Sequence, residues 1–159
     1  MDLQARKDTL RMLSNGVYIV TARSGECYGG ATVTWVSQAS FKPPLLMAAI
    51  RKQSNVFRCL QESGRAAIHI LAAEQRELAQ RFFTPTTVES GRMNGEAFRL
   101  SGRELPILDS APAYLECGVR EIFDRTGDHA IIVLEVLEAV CERSVRPMTI
   151  AESPWQYGG

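Results

Sequence analysis

The sequence predicts a mainly β domain with a few short helices, folded as a closed or partly closed antiparallel barrel. Five or six apolar, β-branched runs stand against two or three short helical stretches. Several of these runs follow one another with only a turn between them, and barrel closure is the natural way to remove so many strand edges. The strands do not alternate regularly with helices, and no G-x-G-x-x-G follows the first of them, which excludes a doubly wound dinucleotide fold.

Each element has a local cause. Residues 2–14 read as a short helix with Leu3, Leu10 and Leu13 as core contacts. Gly16 opens the run VYIVTA, which Ser24 and Gly25 end as a turn, and Gly29 and Gly30 precede a second strand, ATVTWVS. Pro43 and Pro44 interrupt the ladder before LLMAAI resumes it. In VFRCLQESG the residues Val56, Cys59 and Leu60 recur at helical spacing, with Ser54 or Asn55 as cap and Gly64 as stop. AAIHIL is a strand, and EQRELAQRFF a second helix with Leu78, Phe82 and Phe83 on its buried side. Residues 84–112, rich in Gly, Pro, Ser and Thr, read mostly as loop, and two long strands follow near 114–124 and 129–142.

With 159 residues the chain is sized for a single domain over 1–159. A formal net charge of zero supplies no general basic field, so neither nucleic acid nor an acidic membrane is the expected partner. The opening MDLQARKDTLRML lacks an apolar signal core and no run has the length of a membrane helix, so the expectation is a cytoplasmic protein. Cys27, Cys59, Cys117 and Cys141 are widely separated without a C-x-x-C pair. That spacing fits neither a zinc site nor a redox dithiol, and buried free thiols are expected. Asp124, Asp128, Glu135 and Glu138 lack metal-ligand spacing and read as surface charges, so no metal is expected; His69, between apolar neighbours, reads as a satisfied strand histidine.

The chemistry concentrates in two adjacent segments. At residues 51–55 an apolar strand ends, Arg51 and Lys52 follow, and a helix starts at Ser54. Unpaired N–H groups, the positive end of the helix dipole, two cations and a hydroxyl make a compact phosphate pocket. The competing reading is an ordinary capped helix with solvated basic residues. Upstream, Thr32, Thr34, Ser37, Gln38 and Ser40 are too polar for a simple barrel strand, yet Trp35 and Phe41 sit among them. Such a segment can offer backbone groups, hydroxyls and an amide to a flat heteroaromatic ring, or it can be a polar edge strand. One ligand carrying both a ring and a phosphate explains the two segments together.

The run ATVTWVSQASFKPPLLMAAIRKQSN resembles the signature of the flavin reductase-like, FMN-binding split-barrel proteins, and the similarity continues through LQESGRAAIHILAAEQRELAQRFF, LDSAPAYLECGV and GDHAIIVLEV. It covers about residues 8–159, and the ending WQYGG is similar to that of flavin-reductase domains fused to cyanobacterial diiron flavoproteins. The resemblance implies a Greek-key antiparallel split barrel and a homodimer with FMN, or alternatively FAD, near the subunit interface. It implies an isoalloxazine ring against Thr34, Trp35, Val36, Ser37, Gln38, Ala39, Ser40 and Phe41, and a phosphate at Arg51, Lys52 and Ser54. Arg81, Phe82 and Phe83 would close over the ribityl-phosphate side, and His129 of the G-D-H motif would approach the flavin or the nicotinamide.

The implied activity is NAD(P)H-dependent flavin reduction, with hydride passing to bound FMN and on to free flavin or another acceptor. The alternatives are a flavoredoxin-like carrier fed by a redox protein partner, and a non-redox FMN-binding module. Relatives often carry glycine where this chain has Leu134, which either alters packing or narrows the nicotinamide space. Trp155 and Tyr157, behind Pro154, suggest a tail that docks on a partner subunit or over the flavin.

Overall fold

The computed structural model describes residues Met1–Gly159. Helix α1 (Leu3–Arg11) starts at Asp2, whose carboxylate accepts from the N–H groups of Gln4 and Ala5. Strand β1 (Tyr18–Ser24) turns through Gly25 into β2 (Cys27–Val33), and two residues later β3 (Val36–Phe41) begins and pairs back with β4 (Pro44–Arg51). Helix α2 (Asn55–Ser63) crosses to β5 (Arg65–Ile70), which lies beside β1. Helix α3 (Arg76–Arg81) leads into a ribbon of short strands, β6 (Val88–Glu89), β7 (Arg92–Met93), β8 (Glu96–Leu100) and β9 (Pro106–Leu108). The long strands β10 (Ala113–Phe123) and β11 (His129–Cys141) complete the main sheet.

That sheet has seven antiparallel strands in the order β2-β1-β5-β10-β11-β4-β3. Its two edge strands are consecutive in the chain, joined by Thr34 and Trp35 alone. Laid flat, seven strands would hold their edges about 29 Å apart. The three peptide links from Val33 to Val36 can span at most about 11 Å. The sheet must therefore curl until its edges face each other, yet β2 and β3 share no hydrogen-bonded ladder. The barrel is split along that seam, with β10 and β11 inserted between β4 and β5 in the Greek-key manner. Strands hold 47% of the residues and helices 15%, so the mainly β expectation is observed.

Alternation along β1 divides the interior. Val20 and Ala22 join the larger core with Ile50, Ile68, Ile132 and Leu134, under the apolar face of α2. Ile19 faces a second core of Leu71, Leu78, Phe82, Met93 and Met148. The predicted caps of α2 are present: Ser54 Oγ accepts from Phe57 N–H at 3.2 Å, and Gly64 ends the helix at φ +67°. His69 is satisfied as expected. It is fully buried, its Nδ1–H donates to the Ile19 carbonyl at 3.0 Å, and Nε2 accepts from Leu108 N–H at 3.1 Å.

Several expectations need correction. Helix α1 buries nothing: Leu3, Leu10 and Leu13 are exposed, because Arg6 and Lys7 interrupt the stripe between the first two and Leu13 lies beyond the end of the helix. The predicted strand 31–37 is two strands, broken at Thr34–Trp35 where the chain steps from one sheet edge to the other. Residues 84–112 hold the β6–β9 ribbon, whose pieces of two to five residues are too short to show a periodicity. Phe83 is 53% exposed, not on a buried helix face, because α3 has ended by Phe82. No helix is long and apolar enough to cross a membrane.

Candidate functional site

The seam opens into a cleft of about 930 Å³. Its walls come from β2 and the Thr34–Trp35 link, the end of β4, the first turn of α2, the loop after α3, and the C-terminal tail. A volume of this size suits a cofactor-sized ligand.

The anion end is built by three neighbours. Arg51 closes β4 and lies opposite His129 in the β4–β11 register. Its guanidinium enters no salt bridge, and the lining contains no Asp or Glu. Ser54 caps α2 and donates its own hydroxyl proton to the Arg51 carbonyl at 2.7 Å, while the N–H of Asn55 stays unpaired. Gly29 seats this helix start against β2. A Cβ there would meet Val56 Cα and lie 2.6 Å from Val56 N, so only glycine admits the approach.

The other end is aromatic. Trp35 and His129 lie with ring centroids 4.9 Å apart, and Tyr157 lies 5.5 Å from Trp35. His129 Nδ1 pairs with Asp128 Oδ1 at 2.8 Å, so the proton on that nitrogen is held by the carboxylate and Nε2 is left facing the Tyr157 hydroxyl at 3.5 Å. The bonded imidazole in turn holds the Asp128 carboxyl below its usual range. Phe83 and Trp155 meet edge to face at 5.0 Å over the rim. Between the two ends, the buried Thr34 Oγ1 has no hydrogen-bond partner.

The cleft gathers Thr32, Thr34, Trp35, Arg51, Ser54, Phe82, Phe83 and His129 from the residues the sequence nominated. Thr32 is occupied structurally: its hydroxyl donates to the Ala79 carbonyl at 2.7 Å and its N–H to the Phe82 carbonyl at 3.1 Å, tying α3 to β2. Phe82 is mainly core, with one edge at the cleft. The remaining nominees stand outside the lining. Val36, Ser37, Gln38, Ala39, Ser40 and Phe41 run along edge strand β3, and Phe41 is 91% exposed. Lys52 turns away, its ammonium donating to the carbonyls of Asp124, Thr126 and Gly127, where it fastens the β10–β11 turn. Arg81 pairs with Glu96 at 2.9 Å instead. Leu134 is fully buried in the larger core and does not line the cleft, so it takes no space from a ligand there.

Sequence reasoning missed Gly30, Thr84, Pro85 and Thr86 as cleft residues. Thr86 had a signal in the hydroxyl-rich TPTT after the helix. Its Oγ1 accepts from Gly30 N–H at 2.9 Å and donates to the Gly30 carbonyl at 3.1 Å, pinning the loop to the β2 wall. The tail docks over the cleft of its own chain, and Arg11 of α1 holds it through the Gly158 carbonyl at 3.1 Å and Gln156 Oε1 at 2.8 Å.

The family model of the flavin reductase like domain matches residues 10–154. FMN reductase (NADH) SmoA of Agrobacterium fabrum is 33% identical over 138 residues, covering 84% of this chain and 74% of that protein. Diflavin flavoprotein A 1 of Synechocystis is 33% identical over 125 residues, and the match spans 78% of this chain but only 22% of that longer protein. The crystal structure of a flavin reductase domain protein from Arthrobacter superposes with a TM-score of 0.78 at 23% identity, covering 94% of this chain and 95% of the other, and so shares the fold. With a barrel split at the β2–β3 seam and a family match across nearly its whole length, this chain belongs to the flavin reductase-like family.

Proposed function

We propose that the chain is an NAD(P)H-dependent flavin reductase that binds FMN in the seam cleft. The observation that carries the reading is the cleft's polarity: an acid-free pocket with an unpaired arginine and a helix start at one end and an aromatic wall at the other. A ligand with a phosphate and a flat ring matches both ends, and Thr34 Oγ1 is a buried polar atom still lacking the partner a flavin's polar rim would supply. The name of the Agrobacterium relative supports the same cofactor and donor.

Arg51 and the Asn55 N–H would hold the phosphate with charge-assisted hydrogen bonds. Trp35 and His129 would flank the ring, and Asp128 fixes the imidazole so that Nε2 points where a ligand can meet it. Phe83, Trp155 and Tyr157 would keep water from the ring. When bound, the flavin supplies the two-electron chemistry, while the protein positions it and tunes its surroundings. The carrier reading leaned on Leu134 as a residue beside the ring; its burial in the larger core, outside the cleft lining, supports the reductase reading instead.

The chain also carries a face suited to a second copy. On the outer side of the sheet, Phe123 pairs with Ile131, Ile131 with Ala49, and Met47 with Val133, making a contiguous apolar strip beside the cleft. Phe123, Ile131 and Met47 are exposed there, and we assign this strip, bordered by the β3 edge, to a homodimer interface.

The test loads purified protein with FMN and mixes it anaerobically with NADH or NADPH. Rapid loss of flavin absorbance is expected. Flavin that binds but bleaches only with a reduced protein donor points to the carrier, and failure to take up FMN or FAD overturns the reading altogether.

A further inference from the structure

Away from the cleft, the fold brings together two cysteines that the chain places 32 residues apart: Cys27 Sγ and Cys59 Sγ lie 2.8 Å from each other. The meeting follows from the glycine seat. Cys27 lies two residues before Gly29 on the same face of β2, and Cys59 lies three residues after Val56 on the same face of α2. Lowering Val56 onto Gly29 therefore lowers one thiol onto the other. A covalent disulfide needs an S–S separation of about 2.04 Å, so closure asks the two sulfurs to approach by about 0.8 Å.

We propose that Cys27 and Cys59 form a redox-active thiol pair that a peroxide converts reversibly to a disulfide, bolting α2 to β2.

The two thiols are unlike, and the difference assigns their roles. Cys27 is half-buried and within reach of solvent, and Arg58 Nη2 lies 3.3 Å from its sulfur. Hydrogen bonds from Cys59 and from this guanidinium hold the Cys27 thiol below its ordinary value, against partial desolvation and Glu62. Cys59 has no exposed surface, and burial together with the neighbouring Cys27 pushes its thiol up. Cys27 is thus the sulfur that meets the oxidant, and Cys59 the one that resolves the product.

In the first step the Cys27 thiolate attacks one peroxide oxygen. The O–O bond breaks, Cys27 becomes a sulfenic acid, and the departing hydroxide takes the thiol's proton as water. In the second, Cys59 Sγ attacks Cys27 Sγ, the S–O bond breaks, and the hydroxyl leaves as a second water with the Cys59 proton. Two thiols lose two electrons in total, and one peroxide gains them. Burial still favours the protonated Cys59, but once Cys27 is neutral its negative charge and hydrogen bond no longer add to that effect, so the second step becomes easier as a result of the first. A dithiol reductant reverses the reaction. Cys117 is buried in the core and Cys141 is exposed on β11, and neither has a sulfur partner.

The test uses the whole chain with Cys141→Ser, which prevents links between copies. After hydrogen peroxide treatment and quenching, thiols titrated in denaturant should fall from three to one. Proteolysis without reductant should give one cross-linked peptide pair containing Cys27 and Cys59, lost on adding dithiothreitol. The oxidised chain should also melt at a higher temperature than the reduced one, because the bond closes a long loop in the unfolded chain. In Cys59→Ser, Cys27 should stop at a sulfenic acid that dimedone traps. Retention of all three thiols, a link to Cys117, over-oxidation of Cys27 without the crosslinked peptide, or an unchanged melt would each overturn the proposal. None of these readouts depends on flavin, so their failure leaves the flavin reading untouched, and the converse also holds.

Discussion

Replacing Gly29 with alanine tests how the cleft is assembled, because that residue joins the barrel to the helix that would hold the phosphate. The new Cβ would lie 2.6 Å from Val56 N and 2.8 Å from the Asn55 carbonyl carbon, against an ordinary contact of 3.4 Å or more. Both opposing atoms are backbone, so no rotamer change can relieve them. With Val56 Cα closer still, the first turn of α2 must retreat by roughly 1 Å from a face that packs Val56, Phe57, Cys59 and Leu60. Forced overpacking of this kind costs about 1–3 kcal/mol, and a rigid backbone partner places Gly29→Ala at the upper end. For a chain of this size, about 2–3 kcal/mol lowers the melting temperature by roughly 4–12 °C. The same retreat carries Asn55 and Ser54 away from Arg51, so FMN affinity should fall at least about tenfold, which corresponds to about 1.4 kcal/mol. Urea and thermal melts read the first effect, and quenching of flavin fluorescence the second. Gly102→Ala, with open space around it, is the control and should change neither. A Gly29→Ala protein with the parent's melt and the parent's FMN affinity would refute the seat.

Arg51→Ala should weaken FMN by about 1.5–3 kcal/mol, the range for a hydrogen bond to a charged group, with little change in the melt because Arg51 has no ion pair to lose. Lys52→Ala should do the reverse, lowering stability through the β10–β11 turn and sparing the affinity; fluorescence titration of both variants separates them. His69 is held neutral, its pKa lowered to about 4 by burial. The unfolded chain takes up that proton first, so stability present above pH 6.5 should drain away as pH falls toward 4, by about 3 kcal/mol at most. Urea midpoints between pH 4 and 7 should show this slope, and His69→Asn should flatten it. Removing residues 155–159 takes away the aromatic contacts to Phe83 and Trp35. With about 0.5–1.5 kcal/mol in each such contact, stopped-flow dilution should show flavin leaving roughly tenfold faster.

What the sequence made legible depended on how local the cause was. Ser54 and Gly64 announce the ends of α2 because capping is settled within three or four residues. The long alternations of β10 and β11 fix those strands to within one residue. Arg51 was legible as a cation at a helix start, but the adjoining Lys52 looked the same in sequence and differs only because the β10–β11 turn supplies three carbonyls. The resemblance drew attention to Ser37–Phe41, yet the chain has already left the cleft by Val36, since the seam turns at Trp35. The Cys27–Cys59 contact had no sequence signal at all, as spacing rules look for cysteines near in the chain. The β6–β9 ribbon escaped for the opposite reason, its pieces being too brief to repeat.

The two-residue step from β2 to β3 works as a ruler for the barrel's mouth. Most pockets set their width by the bulk of the side chains around them, so resizing one disturbs the packing behind it. Here the gap between two sheet edges is fixed by a tether of Thr34 and Trp35, outside both cores. Each residue added to that tether would lengthen its reach by about 3.3 Å, whereas the cores on either side would keep their contacts. A fold with this arrangement can change the size of the ligand it admits by counting residues in one short link, with no repacking of its interior.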